Sequence, residues 1–140
     1  MPHRIRLKKP WTRRGVNGET VSGVDIPDLD EHSSHPVVDG RVVDGRVVDG
    51  RVVYGRRFNR PSGIGPGDVL ELEIGGVTGR LVEVRLNGSV VEFTEQPTQT
   101  SALRLEITEY AADHNELEIE LESCDARATL VGAVNLWITS

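Results

Sequence analysis

Residues 67–123 read GDVLELEIGGVTGRLVEVRLNGSVVEFTEQPTQTSALRLEITEYAADHNELEIELES. Four segments in this stretch alternate strictly. Leu70, Leu72 and Ile74 point one way, and Glu71 and Glu73 the other. Val82, Val84 and Leu86 oppose Glu83 and Arg85, and Leu103, Leu105 and Ile107 oppose Arg104 and Glu106. Leu117, Ile119 and Leu121 oppose Glu116, Glu118, Glu120 and Glu122. Successive side chains leave a pleated strand on opposite faces, so a period of two with one apolar and one charged side marks a half-buried strand. A helix would scatter the same residues around its circumference. The expected class is all-β: antiparallel strands with one wet face.

Outward from this stretch, Asn87-Gly88 separates two alternating segments and is the clearest hairpin turn, because both residues tolerate positive φ. Val53–Pro61 reads as a strand, and Ser62–Gly67 as the turn-rich connection to the next one. Thr108–His114 has room for a single helical turn. Residues 126–139 read as a closing strand or strand pair, with Leu130, Val134, Leu136 and Ile138 set against Thr129, Asn135 and Thr139. At the amino end Ile5 and Leu7 alternate with Arg4, Arg6 and Lys8 in a short strand ended by Pro10, and a weak strand falls at Thr20–Ile26. Eight or nine strands with almost no helix mean a β-sandwich or barrel. A chain of 140 residues is expected to form one domain, 1–140, with a loop-like segment over about 15–50.

Within that segment, residues 37–56 are four copies of a five-residue unit: VVDGR three times, then VVYGR. Asp-Gly favours turns, but three residues between turns leave little strand, and an odd period flips the apolar pair at every copy. The expectation is a tandem duplication that lengthened one loop, with only the final copy locked into a sheet.

Charge is uneven. The net charge is −6, yet residues 1–66 hold 12 basic against 8 acidic residues (+4), and residues 67–140 hold 4 against 14 (−10). The overall acidity argues against nucleic acid as a partner; a single-strand binder using the basic amino end would need interleaved aromatics, and only Trp11 qualifies. No stretch approaches the roughly 20 apolar residues of a membrane helix, and no apolar run follows the basic start, so the expected setting is soluble and cytoplasmic, without a membrane partner. Cys124 is the only cysteine, which rules out an internal disulfide and is read as an inert thiol.

Chemistry-bearing patterns are few. Asp28, Asp30, Glu31, His32 and His35 lie close in sequence, but the spacing matches no strong ligand signature and is read as a polar loop; no metal is assigned, and no loop has the pattern of a calcium site. Gly63–Gly67 contains Pro66, which blocks one amide of a phosphate cradle. The strand glutamates recur about 7 Å apart in solvent-side rows, with no sign of the converging pair that glycoside hydrolysis needs. No catalytic residue and no cofactor are assigned.

The order of motifs is more specific than the fold class. VLELEI (69–74), Gly75-Gly76-Val77, VEVRLNG (82–88), LRLEIT (103–108) and HNELEIEL (114–121), preceded by YGRRFNRPSG (54–63), resemble the amino-terminal jelly-roll domain of family 2 glycoside hydrolases, the β-galactosidase and β-glucuronidase group. The likeness covers about Arg51–Leu121, and RIRLKKPW (4–11) is similar to the family's opening strand and Trp. Glu106 stands before Ile107-Thr108 where the family has the acid of its D-I-T strand end. The resemblance implies a galactose-binding-like sandwich. It carries over no catalytic residue, because the family's glutamates belong to a barrel for which these residues leave no room. It further implies a non-catalytic, carbohydrate-associated accessory or binding module whose partner is a glycan or a separately encoded glycoside hydrolase. The candidate ligand-binding residues are Trp11, Trp137 and, for a carboxylate-bearing sugar or a partner protein, Arg56, Arg57, Asn59 and Arg60. The alternative is a structural or protein-interaction sandwich that binds no sugar, which an exposed aromatic beside a concave polar surface would argue against.

Overall fold

The computed structural model describes residues 3–8, 10–15, 20–26, 41–43, 46–48, 51–61, 64–65, 67–122 and 128–139. Asp28–His35, Cys124 and the connection at Ser62-Gly63 lie outside the described residues. The strands are β1 (His3–Arg6), β2 (Trp11–Arg14), β3 (Thr20–Val24), β4 (Arg41–Val43), β5 (Arg46–Val48), β6 (Arg51–Asn59) and β7 (Val69–Ile74). They continue with β8 (Val77–Thr78), β9 (Arg80–Leu86), β10 (Ser89–Val91), β11 (Leu103–Glu106), β12 (His114–Glu122), β13 (Thr129–Leu130) and β14 (Val134–Thr139).

Two antiparallel sheets form the sandwich. One has the order β1-β14-β7-β11 and the other β10-β9-β12-β6-β2-β3. The apolar rows of the four alternating segments face each other across the core: Leu72, Ile74, Val84, Leu86, Leu117, Ile119 and Leu121 are all fully buried. Each such side chain contributes roughly 1.5–3 kcal/mol by leaving water, which is why the alternation sets the register so firmly.

Three local features depart from simple alternation. Glu120 pairs with Glu83 but Leu121 pairs with Leu81, so Val82 is an extra residue in β9, a bulge. Leu81 is therefore buried where alternation assigned Val82 to the core. The β9–β10 turn has Asn87 at φ 55° and Gly88 at φ 83°, both in the left-handed region that a two-residue hairpin uses. Residues 107–111 close one turn, with the amides of Tyr110 and Ala111 both donating to the Ile107 carbonyl, and do not continue as a helix. The closing segment is a pair of separate strands, β13 on β8 and β14 on β7.

The pentad repeat also departs from expectation. Its last copy enters β6, as anticipated, but β4 and β5 pair with each other (Arg41↔Val48, Val42↔Val47, Val43↔Arg46), so a three-residue strand between Asp-Gly dipeptides is long enough for one hairpin. Among the described residues that hairpin pairs with neither large sheet.

A cleft beside the β6–β12 strand ends

The strand pair β6–β12 runs in the register Asn59↔His114, Phe58↔Asn115, Arg57↔Glu116, Arg56↔Leu117 and Gly55↔Glu118. Arg56 therefore shares the core-side row with Tyr54 and Phe58, while Arg57 and Asn59 share the outer row with Gly55. Near the ends of these strands both rows reach one open cleft of about 820 Å³, to which β1 adds Ile5 and Arg6. β6 pairs with β12 along its whole length, whereas its pairing with β2 covers only residues 53–55, so residues 56–59 run past β2.

The cleft has a fixed polar frame. Asn115 is buried; its Oδ1 accepts from the Ala112 amide (2.8 Å) and from Asn87 Nδ2 (3.0 Å), and its Nδ2 donates to the Ala112 carbonyl (2.9 Å). Asn87 Nδ2 also donates to the Tyr110 carbonyl (3.0 Å), and its Oδ1 accepts from the Glu116 amide (2.9 Å). These bonds tie the β9–β10 turn, the 107–112 turn and the start of β12 together. His114 Nδ1 lies 3.0 Å from Asn59 Oδ1 across the two strands.

The charges on the cleft differ from those elsewhere. On the outer face of the large sheet Arg85 sits among Glu83, Glu118 and Glu120, at 3.1 Å from each of the last two. Burial pushes its guanidinium pKa down, but the three carboxylate hydrogen bonds outweigh that and hold it above the ordinary value. Arg51 pairs with Glu120 (3.1 Å), Arg80 with Glu122 (2.5 Å), and Arg104 with Glu73 (3.5 Å) and Glu71 (3.8 Å). Around the cleft, Arg56 donates to main-chain carbonyls, Nε to Lys8 (2.7 Å) and Nη1 to Arg57 (2.5 Å), and burial lowers its pKa. Among the described residues no carboxylate pairs with Arg6, Arg56 or Arg57. Glu116 is the only carboxylate among the described residues that line the cleft.

Of the six residues singled out from sequence, Arg56, Arg57 and Asn59 meet at this cleft. Arg60 follows β6, is exposed and lies outside the lining; its amide donates to the Asp113 carbonyl (2.8 Å). Trp11 requires a correction. It is fully buried, its Nε1 donates to the Leu7 carbonyl at 3.0 Å, and no ring face is left for stacking on a ligand. Trp137 is on the outer face of the smaller sheet, half-buried, with Nε1 donating to Glu73 Oε1 (3.0 Å) and the Arg104 guanidinium 4.2 Å above the ring. Arg6, His114 and Glu116 were missed as cleft residues. In sequence each belongs to a pattern with a simpler reading, and only the cross-strand register brings them together.

The sandwich and its topology define an antiparallel jelly-roll of the galactose-binding-like type. Solved structures carry the comparison further. The chain is similar over 99% of its length to an FMN-binding β-glucuronidase from Facaelibacterium prausnitzii L2-6, at 28% identity and a TM-score of 0.71, covering 22% of that chain. It is similar, again over 99%, to a putative β-galactosidase from Bacteroides fragilis (17% identity, TM-score 0.73, 23% of that chain). A Bifidobacterium dentium β-glucuronidase complexed with coumarin-3-O-glucuronide gives 16% identity and a TM-score of 0.72 over 30% of its length. The resemblance to a domain of the family 2 glycoside hydrolases thus extends across the chain, which spans less than a third of the length of these relatives. The chain matches no protein-family model and no curated protein sequence.

Proposed function

We propose that this chain acts as a non-catalytic, carbohydrate-associated accessory module, with the cleft beside β6 and β12 as its sugar-binding surface. The observation that carries the reading is the cleft itself: a concave surface that mixes guanidinium, amide and imidazole groups with the apolar Ile5 and Leu136, on a sandwich shared with named β-glucuronidases and a putative β-galactosidase. Ligand sites are commonly of this kind, concave with a few placed polar groups. A single carboxylate among the described lining residues fits binding better than hydrolysis, which uses two. A glycan-array screen of the purified chain tests the proposal. Binding is expected for the wild type and Trp137→Ala and is expected to fall for Asn59→Ala. Silence of the folded protein across neutral and acidic glycans would contradict it.

One observation favours a second reading. Neither tryptophan lies at the cleft: Trp11 is in the core, and Trp137 is on the outer face of the smaller sheet with Arg104 over its ring. A sandwich that docks on a separately encoded glycoside hydrolase needs no stacking platform, and it is the reading that silence on the array would leave.

A further inference from the structure

The smaller sheet ends at β11, which pairs with β7 and, among the described residues, with no other strand. Every second residue of β11 bonds to β7. The Ile107 amide donates to the Leu70 carbonyl at 2.8 Å, and Leu105 opposite Leu72 and Leu103 opposite Ile74 continue the same bonded phase. The amides and carbonyls of Arg104 and Glu106 therefore point the other way, out of the free edge, and no described group bonds them. Beside this edge runs a groove of about 460 Å³, with residues 102–106 as one wall and residues 92–95 as the other.

The side chains along the groove sort by row. Leu103 and Leu105 are buried in the inner row, and half-buried Phe93 packs against the same core from the opposite wall. Glu92, Glu95 and Glu106 are exposed, and no described cation pairs with them. Arg104, the one cation among the described lining residues, is drawn back toward Glu71 and Glu73 and lies over the Trp137 ring. Charged side chains often guard an open edge against further strands. Here the guard that remains is acidic, and it repels only acidic newcomers.

We propose that the β11 edge takes a further strand from a partner protein: an extended segment that alternates apolar and basic residues, laid between β11 and residues 92–95. Such a strand would bond the free amides and carbonyls of Arg104 and Glu106, the mode by which open sheet edges recognise extended peptides. Its period of two places one set of side chains over Phe93, Leu103 and Leu105, which suits apolar groups, and the other beside Glu106, which suits Lys or Arg. The free main-chain groups favour a peptide over a polyamine, because only a peptide presents donors and acceptors in the matching alternation. The groove shares no described lining residue with the cleft beside β6 and β12, so this site is independent of the sugar-binding reading.

The test is fluorescence anisotropy of labelled synthetic peptides of alternating Arg-Val and alternating Glu-Val with the whole chain. The Arg-Val peptide is expected to bind at least about tenfold more tightly. Glu92→Gln and Glu106→Gln together should remove that preference at unchanged unfolding midpoint. Asp25→Asn, an exposed carboxylate after β3 at the far edge of the larger sheet, should keep it. Two further Arg-Val peptides, one N-methylated at every Arg and one at every Val, report main-chain pairing. An added strand turns every second amide to its neighbour, so one of the two should lose binding and the other keep it. Equal effects of the two methylations, or spermine binding as tightly as the Arg-Val peptide, would reduce the site to charge alone and overturn strand addition. Equal binding of the Glu-Val peptide would overturn the basic partner, and no binding of either peptide would overturn the proposal whole.

Discussion

Glu73 shows how one side chain organises the outer face of the smaller sheet. Its Oε1 accepts from Trp137 Nε1 (3.0 Å) and Asn135 Nδ2 (2.9 Å), and its Oε2 faces Arg104 Nε (3.5 Å). Burial pushes its carboxyl pKa up, but these donors and the Arg104 charge outweigh burial and hold it below the ordinary range. A carboxylate held low in the folded state stabilises the protein above its unfolded pKa of about 4.3, and that contribution fades as pH falls through the lower, folded value. Thermal melts between about pH 6 and pH 3 should therefore show a smaller loss of Tm for Glu73→Gln than for the wild type. Equal slopes would mean that Glu73 titrates alike in both states. Trp11 carries the opposite lesson about reading residues singly. A Trp after a short basic strand looks the same in sequence whether it is a platform or a core residue, and only the packing of β2 against β6 and β3 decides.

At the scale of elements, the β9–β10 turn does two jobs with one residue. Asn87 adopts φ 55° and spends its amide on the Tyr110 carbonyl, the Asn115 side chain and the Glu116 amide. Asn87→Gly keeps the backbone conformation but deletes these bonds, and should cost about 1–3 kcal/mol in urea unfolding, because buried Asn115 loses a partner. Unchanged stability would show the network to be dispensable. The repeat offers a second test. Because β4 and β5 pair only with each other among the described residues, deleting Asp39–Val48, two whole units, should leave a single cooperative unfolding transition. Loss of that transition would show that the hairpin supports the sandwich. Much at this scale was legible. Alternation located the core rows of β7, β11 and β12, and Asn-Gly located the turn. The bulge at Val82 was not, because an inserted residue leaves Leu81 and Val82 equally apolar and only the partner strand selects which one faces inward. The pairing of β4 with β5 was also hidden, since identical units carry no signal that favours one pairing over another.

Over the whole molecule, charge is sorted rather than spread. The glutamates of β7, β9 and β12 pair with Arg51, Arg80, Arg85 and Arg104 on the outer faces of the two sheets. Sequence composition showed the asymmetry between the two halves, and the order of motifs showed the family likeness now seen over 99% of the chain. The cleft itself was only half legible. Arg56, Arg57 and Asn59 are neighbours in one segment, but Arg6, Asn87, His114 and Glu116 come from three others, and no local pattern joins them. The central claim is that this cleft, rather than either tryptophan, is the ligand-binding surface. Chemical-shift mapping of the isotope-labelled chain with the oligosaccharide that binds best on the glycan array tests it most directly. The account predicts perturbations concentrated at Arg6, Arg57, Asn59, His114 and Glu116, with Trp137 unmoved. A cluster of shifts around Trp137 and Arg104, or no shifts at saturating sugar, would contradict it.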